Sequence, residues 1–164
     1  MYDLVHSRML LMHLAEPEKA LNRMAGALRP GGWLFIEDSD VGPILSADIG
    51  NPSAAPMVEF NRALFGMMPK RGIFDPYFGR RERKLVEQLG FVNVDHEGWT
   101  RMNRGGDSHA QYHVLVTQAV ARPLITVRAI TQEQVDSVVR LYRDPSFYFP
   151  EYTLFGAWGQ KPSD

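Results

Sequence analysis

Apolar and polar positions follow two different periods along the first forty residues of the chain. Leu4 and Val5 form a short apolar run, which predicts a strand. From Pro17 to Leu28 apolar residues recur every three or four positions, which predicts a helix that begins at Pro17 and has one apolar face. Trp33–Ile36 is a continuous apolar run, typical of a strand covered on both faces. Strand, helix and strand in this order predict a βαβ unit with parallel strands.

The turn at Arg29-Pro-Gly-Gly32 is expected to end this helix. Proline cannot continue a helix, and glycine tolerates the left-handed backbone of a helix end. The second strand should therefore begin at Trp33.

Four more helices and two more strands are predicted downstream. The helices cover 57–68, 78–89 (with Gly90 as its cap), a segment opened by Asp107 or Ser108, and a segment from a capping box at Thr131 to Asp144. The strands cover 91–99 and 152–158. The third of these helices should bury an apolar face made of Tyr112, Leu115, Val116, Ala119 and Val120. The charged run Arg80–Lys84 is interpreted as a solvated helix face.

The segment YDLVHSRMLLMHLAEPEKALNRMAGALRPGGWLFIEDSD resembles the middle of a class I S-adenosylmethionine-dependent methyltransferase. The motifs DLVHSR, HLxxP, LRPGG and ED stand in the order and spacing of the fourth strand, fourth helix and fifth strand of that family. The resemblance implies an α/β fold with a partial Rossmann-like sheet, in the order 4-5-7-6 by the family's count, whose last strand is antiparallel. It also implies a single domain over 1–164 with helical insertions at 41–77 and 105–147, which could form a substrate lid.

Several features of the resembling family would precede this segment. They are its glycine-rich loop, its acidic ribose-binding residue and its adenine-binding acid, and no G-x-G-x-G occurs in these 164 residues. The resemblance therefore implies the C-terminal half of a methyltransferase, with S-adenosylmethionine as cofactor and a small-molecule acceptor. We expect that this half cannot methylate alone. The alternative is a non-enzymatic binding or dimerisation module derived from the same fold.

Polar residues follow both strands of the predicted βαβ unit. Ligands of open parallel sheets bind beyond the carboxyl ends of the strands, which points to Ser7 and Arg8 after the first strand and to Glu37, Asp38 and Asp40 after the second. By the resemblance, Ser7 and Arg8 border the cofactor, and Asp38 is a candidate for substrate binding. The alternatives are a salt bridge for Arg8, and capping or loop hydrogen bonds for Asp38.

Three histidines are further candidates. His13 lies where the resembling family often has a histidine, and an imidazole can accept a proton from a nucleophilic hydroxyl near neutral pH. The alternative for His13 is a structural hydrogen bond. His109 and His113 are four residues apart on a predicted helix and share a face, so with Tyr112 they are candidates for substrate binding, or else an ordinary helix surface. No metal site is predicted, because no acidic base lies between these histidines and the chain has no cysteine.

Charge and composition limit the partners. A net charge of −1 gives no electrostatic argument for nucleic acid, and no apolar run approaches the roughly 20 residues of a membrane span. The absence of cysteine fits a cytoplasmic protein. The first strand should form an exposed apolar edge, which invites pairing with another chain, so a homodimer is expected.

Overall fold

Four strands form one mixed sheet. A computed structural model describes residues 1–48, 50–72 and 74–163, and its strands are β1 (Tyr2–Arg8), β2 (Leu28–Asp40), β3 (Val92–Arg104) and β4 (Tyr148–Gln160). Their spatial order is β1-β2-β4-β3, with β1 parallel to β2 and the other pairs antiparallel. The predicted α/β class, strand order and antiparallel last strand are therefore confirmed.

Five α-helices accompany the sheet in the described residues: α1 (Pro17–Ala27), α2 (Ala55–Met67), α3 (Glu82–Gln88), α4 (Ser108–Thr126) and α5 (Gln132–Arg143). The predicted start signals of α1, α4 and α5 are confirmed. Pro17 opens α1, and the Asp107 side chain accepts a hydrogen bond from the backbone N–H of Ala110 at the start of α4. Thr131 and Gln134 form the predicted capping box of α5. None of these helices combines the length and apolar character needed to cross a bilayer; a cytoplasmic location stays a prediction.

The chain divides into two compact units. The first unit comprises residues 1–42, 72–99 and 152–164, and the second comprises 43–71 and 100–151. The last residues of β3 and the first residues of β4 belong to the second unit. Whether the predicted insertions act as a substrate lid stays a prediction, and two residues of the first insertion, Ile49 and Ile73, lie outside the described part of the chain.

The core of the first unit lies between the sheet and its flanking helices. Its buried members come from β2, β4, α1, α3 and the loops beside them: Leu11, Met12, Leu21, Leu28, Leu34, Ile36, Phe78, Val86, Phe91 and Ala157. Burial of one large aliphatic or aromatic side chain contributes about 1.5–3 kcal/mol. This packed core therefore fixes the positions of the carboxyl ends of β1 and β2.

Several predicted boundaries are wrong, among them the end of β3, which continues to Arg104 instead of stopping at Trp99. β2 begins at Leu28 rather than at Trp33, because Leu28 already pairs with Tyr2 of β1. The turn residues between Leu28 and Trp33 are accommodated by a register shift before the Leu4–Trp33 pair. β4 begins at Tyr148 rather than at Tyr152. The helix predicted over 78–89 starts with a 3₁₀ turn, so its α-helical part is confined to α3.

The predicted buried face of α4 is also wrong. Tyr112 and Leu115 are 55% and 57% exposed. The buried side chains of α4 are Ala110, His113, Val114, Thr117, Ala121 and Leu124. The helix carries apolar residues on two sides, and contacts with the rest of the second unit select the side that also contains a histidine and a threonine.

Candidate functional site

The candidate site lies where β1 and β2 end, in the first unit. The two strands are parallel and in register, so Ser7 pairs with Ile36 and Arg8 pairs with Glu37. The segment that follows β1 is fixed against β2, because the backbone N–H of Met9 donates to the Glu37 carbonyl at 2.7 Å. Met9 has a positive φ of 50°, a backbone conformation that non-glycine residues adopt rarely and at functional sites more than elsewhere. The turn at the end of β1 is thus sharply bent and firmly placed.

Asp38 holds this turn in place. Its carboxylate is fully buried and accepts hydrogen bonds from the backbone N–H groups of Leu11 (3.2 Å) and Met12 (3.4 Å), which begin a 3₁₀ turn. Burial raises the pKa of Asp38 from 3.8 to about 6, although the backbone hydrogen bonds and the nearby His13 act in the opposite direction. Its observed contacts are those of a positioning residue, and contact with substrate stays a prediction.

Glu82 lies behind this site, and the sequence interpretation missed it. The charged run Arg80–Lys84 was interpreted as a solvated face, yet Glu82 is 1% exposed and neither of its carboxyl oxygens has a hydrogen-bond partner among the described residues. Burial is the main cause that raises its pKa from 4.5 to about 10; the negative charges of Asp38 and Glu37 add to it, and the nearby backbone of Asp38 acts in the opposite direction. Glu82 is therefore a neutral carboxylic acid at pH 7.

A close backbone contact explains how Glu82 becomes buried. A Cβ atom at Gly79 would lie 2.5 Å from the carbonyl oxygen of Asp38. Glycine at this position thus allows the 3₁₀ turn Gly79–Arg81 to approach β2 directly, and the first residue of α3 follows that turn into the core.

An ion pair fixes the loop that follows β2. Asp40 and Arg80 form a bidentate pair, in which Arg80 Nη2 donates to Asp40 Oδ1 at 2.7 Å. The guanidinium also lies 4.8 Å from the centre of the Tyr77 ring, and its hydrogen bond to Asp40 raises the pKa of Arg80 above the usual value. The backbone N–H of Gly42 donates to Asp40 Oδ1 at 2.8 Å. Sequence reasoning selected Asp40 together with Asp38, but it did not predict the pairing of Asp40 with Arg80.

The other candidates of the first unit gather on the same turn. Ser7 is buried, and its Oγ has no hydrogen-bond partner in the described part of the chain. The Arg8 side chain is exposed. His13 is exposed, with its ring 5.5 Å from that of Phe74. The structure therefore brings Ser7, Arg8, His13 and Asp38 into one region, which contains the buried, unpartnered hydroxyl of Ser7.

The remaining candidates belong to the second unit. His113 is buried, and burial lowers its pKa below 6.5, although the nearby Glu151 opposes this effect. His109 Nδ1 lies 3.3 Å from Glu151 Oε2, and Tyr112 is mainly exposed. Sequence reasoning missed Glu151, which lies 38 positions after His113 along the sequence and gives no local signal. No group of three potential metal ligands is found in the described residues.

A family model for the methyltransferase domain matches residues 1–96, which is more than half of the chain. The chain belongs to the methyltransferase domain family. The match includes β1, α1, β2 and α3, and thus every candidate residue of the first unit. Together with the strand order, it identifies a class I S-adenosylmethionine-dependent methyltransferase-like fold.

One curated relative of this methyltransferase domain is Methyltransferase str3 of Strobilurus tenacellus. It is 33% identical over 96 residues, which are 57% of this chain and 33% of the relative. The chain thus spans about a third of that relative's length.

Two solved structures resemble the chain over nearly its whole length. A Bacillus halodurans protein assigned as a methyltransferase aligns with a TM-score of 0.52 and 11% identity, covering 98% of this chain and 64% of that one. A Haemonchus contortus phosphoethanolamine N-methyltransferase 2 in complex with S-adenosyl-L-methionine aligns with a TM-score of 0.48 and 14% identity, covering 98% of this chain and 33% of that one. Because the sequence identity to the Bacillus halodurans protein is only 11%, this similarity shows a shared fold and nothing more.

Proposed function

We propose that the chain is part of an enzyme that transfers a methyl group from S-adenosylmethionine to a small organic molecule. The observation that carries this proposal is the family match over 1–96, which includes a strand-end region with an unpartnered buried hydroxyl. In open α/β sheets that region is where ligands bind.

The residues at this strand end suit the cofactor's chemistry. Ser7 offers a buried hydroxyl that can donate or accept a hydrogen bond. Arg8 offers an exposed guanidinium, which pairs well with a carboxylate such as that of the cofactor's amino-acid portion. The cofactor, when bound, supplies an activated methyl group. Ser7 and Arg8 are therefore the proposed cofactor-side residues.

His13 is the proposed proton acceptor of the reaction. Its ring is exposed at the same strand end and lies beside Phe74. A neutral imidazole can take a proton from an acceptor hydroxyl, while the rest of the site aligns acceptor and donor. Asp38 supports this role indirectly, since its hydrogen bonds fix the turn that carries His13.

A further part of the proposal is that this 164-residue polypeptide does not methylate by itself. The sequence has no G-x-G-x-G loop, to which the resembling family owes much of its cofactor contact. The alternative is a binding or dimerisation module. It is favoured by the edge strand β1, where Tyr2 is 66% and Leu4 57% exposed.

Calorimetric titration of the purified chain with S-adenosylmethionine tests this proposal. Circular dichroism first establishes that the protein is folded. We expect no micromolar dissociation constant, with only weak binding near the millimolar range. A micromolar dissociation constant would contradict the proposal that this polypeptide needs additional protein to bind the cofactor tightly. It would make Ser7→Ala and Arg8→Gln the next variants to measure.

A further inference from the structure

A groove of about 740 Å³ lies between α4 and α5 in the second unit. Ala121 and Ile125 of α4 line it, four residues apart, and so do Val135, Val139 and Arg143 of α5 at the same spacing. Residues four apart lie on one face of a helix. Each helix therefore presents one continuous face to this α4–α5 groove, whose residues take no part in the proposed methyl transfer.

The base of the α4–α5 groove is apolar. Ala121, Val135 and Val139 are more than nine-tenths buried, so only a small part of each side chain faces the groove. Ile125 is partly exposed beside them. Pockets for small molecules are mostly apolar, with a few polar groups that fix the orientation of the ligand. This base therefore suits the apolar body of a ligand.

Basic side chains also line the groove. Three arginines, Arg122, Arg140 and Arg143, and one aspartate, Asp136, are among its residues. The groove therefore has a formal charge of +2 in a chain whose net charge is −1. Such a local excess of positive charge favours an anionic ligand.

These arginines are not neutralised within the described part of the chain. The guanidinium groups of Arg122 and Arg143 have no ion-pair or hydrogen-bond partner there. Arg140 Nη2 donates at 2.8 Å to the uncharged hydroxyl of Ser137. The Asp136 carboxylate accepts a hydrogen bond from a glutamine side chain at 2.9 Å and pairs with none of the three. Their N–H groups therefore remain available to an anion.

We propose that the α4–α5 groove binds a small organic molecule that has a carboxylate and an apolar body. The apolar body lies on Ala121, Val135 and Val139, while the carboxylate accepts hydrogen bonds from the guanidinium groups. Arginine keeps its charge at any physiological pH, and its planar fork fits a carboxylate. All of these residues belong to the second unit, so this binding goes beyond the proposed function and holds whether or not the chain transfers a methyl group.

Calorimetric titration of the unaltered protein with 2-naphthoate, 2-naphthalenemethanol and acetate tests this assignment at low salt. The first two probes share a ring system, but only naphthoate is charged, and acetate carries the carboxylate without the rings. We expect naphthoate to bind at least about fivefold more tightly than either control, because several exposed charge pairs and the apolar base act together. Added salt should weaken naphthoate binding and leave 2-naphthalenemethanol binding unchanged, since salt screens exposed charges.

Arginine variants place the binding in the α4–α5 groove. The double variant Arg122→Gln/Arg143→Gln removes two unpartnered charges and is expected to weaken naphthoate binding at least about fivefold. Arg101→Gln removes one such charge from an exposed position of β3 in the second unit, outside the groove, and should leave binding unchanged. Equal affinity for naphthoate and either control, no naphthoate binding at millimolar concentration, or unchanged binding by a folded double variant would each overturn the proposal.

Discussion

Replacing Glu82 by glutamine should remove a large part of the pH dependence of stability near neutral pH. Burial and the neighbouring acids raise the pKa of Glu82 from 4.5 to about 10. Between these values the folded protein keeps a proton on Glu82 that the unfolded chain has released, so stability falls as pH rises. The slope is about 1.4 kcal/mol per pH unit, which amounts to about 3 kcal/mol between about pH 6.5 and 8.5. Glutamine has nearly the same shape and does not ionise.

Urea unfolding followed by tryptophan fluorescence measures this effect, since linear extrapolation yields the free energy of unfolding at each pH. Glu97→Gln is the matched control, because Glu97 is an exposed glutamate of β3 in the same unit. We expect the free energy of unfolding of Glu97→Gln to fall with pH as steeply as that of the unaltered protein. For Glu82→Gln, the fall between about pH 6.5 and 8.5 should be smaller by about 3 kcal/mol. An identical slope in Glu82→Gln and the unaltered protein would refute the conclusion that Glu82 is protonated.

Three further changes have defined outcomes. Asp38→Ala removes the acceptor for two backbone N–H groups and should reduce the free energy of unfolding in urea by about 1–3 kcal/mol; an unchanged value would show that these hydrogen bonds do not hold the turn. Thr131→Ala should reduce it by about 1 kcal/mol through loss of the capping box, and no loss would contradict that role. Leu4→Glu should shift a β1-edge dimer to monomer in sedimentation equilibrium, whereas Leu45→Glu, also at an exposed leucine, should not. A monomeric unaltered chain at high concentration would contradict the predicted dimer.

Local signals in the sequence were sufficient for much of the fold. Pro17 at the start of α1 and the Thr131–Gln134 box of α5 act within a single turn, so they can be recognised without knowledge of tertiary contacts. Long apolar runs also identify strands whatever their neighbours. The start of β2 could not be predicted in this way, because pairing with β1 extends it through a turn whose residues indicate an end.

The candidate site was predictable only in part, for a physical reason. Strand ends can be located from sequence, and this led to Ser7, Arg8 and Asp38. Glu82 has charged neighbours in the sequence, and only the close contact of Gly79 with β2 places it in the core. Likewise, Asn103 and Glu151 lie close together because β3 and β4 are neighbours in the sheet, and no local sequence pattern predicts this pairing.

The most direct test of the proposed function is a ¹⁵N NMR titration of the chain with S-adenosylhomocysteine. We predict progressive, fast-exchange shifts at the backbone amides of residues 7–13, without saturation below millimolar concentration. Shifts confined to other residues, or no shifts at all, would contradict the assignment of the cofactor to the ends of β1 and β2. Saturation at micromolar concentration would contradict the claim that this chain needs further protein to hold the cofactor.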